Sequence, residues 1–314
     1  MKFEPIIPFE PLKTEEIPIG DSWVYQVKWD GVRILTYYDG DKINLFNRKL
    51  NNRNLQFPEL TKVNNYCDAK SIILDGEVIA FVDGVPSFQE VMKRDSLRSK
   101  NSIELIRYQI PIYYMIFDIL FLNDEWVVNK PLFQRQEILN NIINQNEYVQ
   151  VINNFQDGPE LFNAIREKRM EGIICKDFNS TYLINGKDKR WLKKKNYLDI
   201  VGIICGVTLK DNIVNSLLIG LFNNNKELRY IGNVGTGKLT NNEWKELTKT
   251  IKPLVIDQMP FSESPNRIDK DTLWVTPKLT VKIKFMEWTT NNTMRQPTIQ
   301  SFVEKPINEC DFEQ

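Results

Sequence analysis

The run Ile72-Ile73-Leu74-Asp75-Gly76-Glu77-Val78-Ile79-Ala80-Phe81 is an apolar strand carrying two acids. A buried carboxylate costs several kcal/mol, on the order of 3–5 when left without its partner, unless it is paired, protonated or metal-bound. A hairpin turn at Asp75-Gly76 is the plain alternative. Apolar residues run straight through on both flanks, however, which favours a site. The same conflict recurs in Ile112-Tyr113-Tyr114-Met115-Ile116-Phe117-Asp118, a buried strand with one acid. Glu171-Gly172-Ile173-Ile174-Cys175-Lys176 reads as a strand opened by an acid. A fold that buries such strands must bring partners to their carboxylates.

Cations are available at two places. Lys28-Trp29-Asp30-Gly31-Val32-Arg33 lies between two apolar runs, Trp23-Val24-Tyr25-Gln26-Val27 and Ile34-Leu35-Thr36-Tyr37-Tyr38. Gly31 breaks strand character, so the segment predicts strand, tight loop, strand, with Lys28 at a strand end. A lone lysine there would be a surface charge. It becomes a nucleophile only where desolvation or nearby cations lower its pKa. The basic run from Lys187 to Lys195 can supply them. Read as a strand, it puts Trp191, Lys193 and Lys195 on one face. Two ammonium groups held so close need an anion, and they would depress a nearby Lys28.

Composition narrows the chemistry further. The chain has no histidine, which removes His triads, His metal sites and His bases. Lys, Arg, Asp, Glu, hydroxyls and bound metal remain. The four cysteines, Cys67, Cys175, Cys205 and Cys310, are far apart with no Cys-x-x-Cys, against structural zinc and disulfides. Lys plus Arg and Asp plus Glu number 41 each, so any nucleic-acid contact must come from local patches.

The 314 residues suit one large domain or two ordinary ones. No apolar run approaches the ~20 residues of a membrane span. The start lacks a signal-peptide core, so the expected location is cytoplasmic. Pro5 to Gly20 is proline-rich and is expected to wrap the surface. Ile43 to Phe46 predicts a strand, Phe57 to Leu60 a short helix, and Phe88 to Leu97 a helix. Amphipathic helices are expected at 131–145 and 159–169. Near Tyr197 the texture changes to short strands at 199–209, 213–222, 226–234 and 278–288, with a helix from Thr240 to Ile251. That pattern predicts a small OB-type barrel, giving domains at 1–197 and 198–314. Gly232-Asn233-Val234-Gly235-Thr236-Gly237-Lys238 matches P-loop spacing, but Leu239 stands where Ser or Thr should hold magnesium. It reads as a barrel loop.

Together these segments resemble the ATP-dependent DNA ligase family of the nucleotidyltransferase superfamily. Lys28-Trp29-Asp30-Gly31-Val32-Arg33 is similar to motif I, Asn47-Arg48 to motif Ia, Asp75-Gly76-Glu77 to motif III and Phe117-Asp118 to motif IIIa. Glu171-Gly172 matches motif IV and Trp191-Leu192-Lys193-Lys194-Lys195 motif V. Each alone is weak to moderate; the ordered set is specific and covers nearly the whole chain. Val234-Gly235-Thr236-Gly237, Glu287-Trp288-Thr289 and Met294-Arg295-Gln296-Pro297 resemble the OB domain of bacterial end-joining-type ligases. The implied fold is α+β: an ATP-grasp-like adenylation domain of antiparallel sheets with flanking helices, then a C-terminal OB barrel.

The resemblance implies roles. Lys28 takes AMP covalently, and Lys193 and Lys195 hold the α-phosphate. Arg33 and Glu77 contact the ribose, Phe117 stacks on adenine, and Arg48 contacts phosphate. Glu171 holds Mg2+ (or Mn2+), with Glu77 or Asp30. Three departures stand out. Leu50 replaces the family's glycine after Arg48. Gln26 replaces a frequent acid, though it can accept from an adenine amino group and donate to a ring nitrogen. Phe302-Val303-Glu304-Lys305 lacks the motif VI arginine, for which Arg295 or Lys305 could substitute. Lys278, Lys282 and Lys284 alternate with apolar residues and read equally as DNA contacts or as a solvated strand face. Implied partners are nicked or broken double-stranded DNA and a Ku-like end-binding protein, with the chain itself a monomer. An RNA ligase, a GTP-using capping enzyme and an inactive DNA-binding module stay open.

Overall fold

The computed structural model describes residues 4–235, 237, 239–265, 269 and 271–314. The chain divides into two compact units, Met1–Asn196 and Tyr197–Gln314.

In the first unit two of the three acid-bearing strands, Ile72–Ile79 and Tyr113–Leu122, lie in the middle of a sheet. Its order is Val149–Val151, Tyr113–Leu122, Ile72–Ile79, Val32–Tyr38, Ile43–Asn47. Ile72–Ile79 runs unbroken through Asp75 and Gly76, so the hairpin alternative does not apply. A second sheet has the order Leu12–Lys13, Trp191–Lys195, Gly172–Asp177, Trp23–Val27. Phe9, Leu35, Tyr37, Ile73, Leu120, Phe121, Tyr182 and Trp191 form one buried cluster drawn from both sheets. Beyond the first sheet lie Phe57, Leu60 and Tyr66, with Val91 of helix Phe88–Asp95 (α1) and, past helix Lys100–Gln109 (α2), Leu139 of helix Leu132–Ile142 (α3). The second sheet is covered by Leu161 and Ile165 of helix Gly158–Glu167 (α4). Sheets covered on both faces explain why their strands read as continuous apolar runs.

Several expectations need correction. The N-terminal segment does more than wrap the surface. Phe9 is fully buried, and Leu12–Lys13 adds a parallel edge to Trp191–Lys195. One aromatic anchor and a two-residue ladder suffice to draw in a proline-rich segment. Val149–Val151 is also parallel to its neighbour, while the other strand pairings of the two sheets are antiparallel, as expected. The basic run is strand only over Trp191–Lys195. The α2 helix was not anticipated; with Leu105 and Tyr108 exposed and Ile103 its one buried residue, it shows no clean apolar stripe.

In the second unit Leu198–Lys210 is the spine of a seven-stranded half-barrel. One edge pairs with Ile213–Phe222; the other takes first Thr280–Phe285 and then Leu273–Val275. Thr298–Val303, also unanticipated, extends the sheet beside Thr280–Phe285. Helix Asn241–Ile251 (α5) begins at Thr240, which forms a capping box with Glu243. The glycine-rich segment lies at the end of strand Leu228–Val234, in a β context; Thr236 and Lys238 lie outside the described residues. Val281, Ile283 and Phe285 are buried while Lys282 and Lys284 are partly exposed, as alternation requires. All four cysteines are free and buried, two in each unit. Among the described residues no helix is long and apolar enough to cross a membrane.

Among the described residues the most deeply buried ion pair is Asp118–Arg135. Both side chains are wholly buried, and the guanidinium donates to both carboxylate oxygens at 2.7 and 3.0 Å. Arg135 also donates to the carbonyls of Lys130 and Ser180. Removing one partner leaves the other charge uncompensated. Asp118→Ala should therefore lower stability by about 3–5 kcal/mol in urea unfolding, and Asp118→Leu/Arg135→Met should cost less than the single change.

Candidate active site

A cavity of about 600 Å³ opens in the first unit and is lined from both of its sheets. Trp23–Val27 delivers Gln26 and ends just before Lys28. The backbone N–H of Lys28 donates to the carbonyl of Gly172 at 2.9 Å, which sets the lysine beside Glu171. Two glycines make these approaches possible. A Cβ on Gly31 would lie 2.2 Å from the carbonyl oxygen of Val78. Gly172 has φ +149°, and a Cβ there would meet the carbonyl oxygen of Lys194 at 2.2 Å.

The three candidate lysines converge. Lys28 Nζ lies 2.5 Å from Glu171 Oε2, and Lys195 Nζ lies 3.1 Å from Glu171 Oε1. One carboxylate thus bridges two ammonium groups. Lys28 and Lys193 line the cavity; Glu171 and Lys195 are not part of its lining. Burial lowers the pKa of Lys193, and Lys28 and Lys195 lower it further. Lys194, on the opposite face of the strand, turns toward Phe162 and Glu15.

Glu77 lines the cavity and behaves differently from Asp75. Burial pushes its carboxyl up to about 8; Lys28 and Arg33 oppose the shift, while Glu171 and Asp30 reinforce it. Asp75 is fully buried and structurally committed. It accepts from Arg33 Nε at 2.8 Å and Nη2 at 2.6 Å, and from the Tyr182 hydroxyl at 2.8 Å. Arg33 also donates to the carbonyl of Phe9 at 2.7 Å. Its guanidinium is thus anchored inward, although the residue lines the cavity. Arg48 lines the cavity too, is half exposed, and pairs with Glu10 at 3.3 Å. The turn after it survives without the family's glycine: Leu50 adopts φ +60°, a left-handed conformation that costs roughly 1–2 kcal/mol for a side-chain-bearing residue.

Phe117, Ile174 and Ile152 supply apolar wall. Gln26 is buried, and its Nε2 donates to Asn154 Oδ1 at 2.7 Å. The indole N–H groups of Trp29 and Trp191 are buried without acceptors, and both residues line the cavity. Orphaned buried donors of this kind call for a bound polar group. Among the described residues, no three Asp, Glu, Cys or His side chains cluster as a metal site. Asp30, Glu77 and Glu171 are instead an acidic neighbourhood whose central carboxylate is taken up by lysines. In the second unit Arg295 pairs with Glu287 at 2.8 Å, and Lys305 donates to Gln314 at 3.0 Å.

The sequence reading gave Lys176 no role. It is buried against two rings, its Nζ 3.9 Å from the centre of Trp191 and 4.7 Å from that of Phe117. The available signal was alternation: Lys176 shares a strand face with Ile174. Burial lowers its amine to about 7, with Arg135 and Arg33 acting in the same sense against Asp118 and Asp75. A depressed lysine contributes stability above its unfolded value of 10.5 and loses it as pH falls through about 7. Lys176→Met should flatten that slope. In thermal melts it should gain on the wild type as pH falls from about 10 to about 6, and a parallel offset across that range would refute the assignment.

Two stacked sheets holding a lysine in a basic cavity of nucleotide size, followed by a half-barrel, define the nucleotidyltransferase–OB architecture. A profile described as "ATP dependent DNA ligase domain" matches residues 13–195, and one described as "ATP dependent DNA ligase C terminal region" matches 210–304. The chain belongs to the ATP-dependent DNA ligase family. It is 32% identical over 275 residues to DNA ligase 2 of Methanosarcina mazei, covering 76% of this chain and 48% of that one. It is 27% identical over 283 residues to the multifunctional non-homologous end joining protein LigD of Mycolicibacterium smegmatis, covering 88% and 35%. The crystal structure of the ligase domain from M. tuberculosis LigD superposes with a TM-score of 0.53 at 25% identity over 97% of both chains. The chain spans about half or less of the length of these curated relatives.

Proposed function

We propose that this chain is an ATP-dependent DNA ligase that joins 5′-phosphate and 3′-hydroxyl ends through a lysyl-AMP intermediate. The observation that carries the reading is that Lys28 and Lys193 line one cavity while Glu171 bridges Lys28 to Lys195. Phosphoryl transfer is mostly positioning and charge neutralisation, so a basic cavity of nucleotide size suits it.

Lys28 is the nucleophile. Its amine must shed a proton before it can attack, and Glu171 Oε2, 2.5 Å away, is placed to accept it. The Lys28 nitrogen then bonds the α-phosphorus as the α–β bridging bond breaks, and pyrophosphate leaves with the electron pair. Lys193 and Lys195 neutralise the α-phosphate. Phe117 and Ile174 sandwich the base, Gln26 faces its edge, and Glu77 contacts the ribose as a neutral acid that can donate. Arg33 supports this contact through Asp75 rather than by its own donors, and Arg48 meets phosphate at the cavity mouth. AMP then passes to the 5′-phosphate of the break, and attack by the 3′-hydroxyl releases it.

Glu171, with Asp30, would hold a Mg2+ ion arriving with the nucleotide, since Mg2+ is usually held by one or two carboxylates plus phosphates and water, while the protonated Glu77 stays with the ribose. Its contribution is to neutralise charge on those phosphates. Residues 1–197 are the adenylation domain and 198–314 the OB domain of this enzyme. Lys278, Lys282 and Lys284 make salt-sensitive backbone contacts with DNA. The M. smegmatis relative is named for non-homologous end joining, which supports broken ends as substrate; a Ku-like end-binding partner, a cytoplasmic location and a monomeric chain complete this reading.

Incubation with α-labelled ATP followed by denaturing electrophoresis tests the core of this. The wild type should carry label, and Lys28→Ala should reduce it to background. Label that survives in Lys28→Ala removes the nucleophile. Preferential labelling from GTP, or sealing of nicked RNA but not of nicked, cohesive or blunt DNA, would move the chain to a capping or RNA-joining reaction.

A further inference from the structure

Gln26 stands where a carboxylate would accept unambiguously from a 6-amino group. A glutamine amide is ambivalent. With its oxygen forward it accepts from the amino group of adenine and donates to N1. Rotated by half a turn, it donates to the oxygen of a 6-oxo purine and accepts from N1–H. By itself it would read both bases.

The structure removes that ambiguity through two residues outside the cavity lining. The main-chain carbonyl of Phe117 accepts from Gln136 Nε2 at 2.8 Å. A carbonyl cannot donate, so Gln136 must turn its amino group there and its Oε1 away. That oxygen accepts from Asn154 Nδ2 at 3.5 Å. Asn154 is thereby left with Oδ1 toward Gln26, whose Nε2 donates to it at 2.7 Å. Gln26 and Gln136 are buried, so water cannot readily rescue a reversed amide. Each member is fixed by its backbone. Phe155 and Tyr25 exchange N–H···O bonds at 2.9 and 3.0 Å, bringing Asn154 beside Gln26. Ile152 donates to Ile116 at 2.8 Å, and Gln136 sits on α3.

We propose that Asn154 and Gln136 are positioning residues that fix the polarity of Gln26, leaving its Oε1 as the acceptor presented to the cavity and so selecting a 6-amino over a 6-oxo purine nucleotide. The proposal rests on the ligase reading above, because it concerns the base edge of the nucleotide that Lys28 attacks. Three amides arranged head to tail from a carbonyl anchor do what a single carboxylate would do alone.

The test compares covalent labelling of Lys28 from ATP and from inosine triphosphate, as relative kcat/KM. The wild type should prefer ATP. Asn154→Leu frees the Gln26 amide to rotate, and the preference should fall by about tenfold, the worth of roughly one hydrogen bond. Gln26→Glu added to Asn154→Leu should restore it, because a carboxylate cannot be reversed. A merely structural Asn154 would not be rescued this way. Should Asn154→Leu fail to fold by circular dichroism, Gln136→Met reads the same relay from its anchored end. An unchanged ratio in the folded variants, or no recovery in the double variant, overturns the relay. A wild type that labels from no nucleotide overturns the ligase reading beneath it, a distinguishable failure.

Discussion

The cavity rests on two buried aspartate–arginine pairs. Asp75 and Asp118 stand directly opposite each other on adjacent strands of the first sheet. Two carboxylates so placed would repel, and the sheet could not close over them without cations. Arg33 answers one and Arg135 the other. The four charges balance, which leaves Lys176 surplus among them. Burial among balanced charges favours its neutral amine, the physical sense of its lowered pKa. Phe117 and Trp191 lie against that lysine, so the aromatic wall of the cavity is supported by a charge arrangement set beneath it.

Above this floor the cations are arranged for a different end. The arginines have their donors satisfied by protein, whereas the lysines share one carboxylate, Glu171, between two ammonium groups. An arginine's planar fork suits permanent pairing, and a lysine's compact head on a flexible stem suits exchange of partners. On the proposed reading, a phosphate entering the cavity would meet Lys28 and Lys193 without disturbing either aspartate pair. Structural and chemical charges are thus segregated by depth.

Much of this was legible in the sequence for a stated reason. Apolar strands interrupted by acids forced the inference of buried partners, and alternation in Trp191–Lys195 puts Trp191 and Lys193 on the cavity lining, with Lys195 joined to Lys28 through Glu171. The sequence did not reveal which acid was structural. Asp75 and Glu77 are two residues apart on one strand, yet Asp75 is tied to Arg33 and Glu77 lines the cavity, a difference set by Arg33 on the neighbouring strand. Asn154 and Gln136 carried no signal, because an amide's role depends on what its neighbours accept or donate. The N-terminal segment was misjudged because one phenylalanine outweighs several prolines once a core pocket accepts it.

The four sheltered sulfurs have a practical consequence. Cys67 and Cys175 belong to the first unit, Cys205 and Cys310 to the second, and every one is enclosed. A thiol-reactive reagent therefore has nothing to modify while both units stay closed. Whichever sulfur reacts first under mild denaturation names the unit that opens first. The molecule carries a built-in reporter of its own breathing, and a cysteine introduced on its surface would be the one reactive attachment point for a probe.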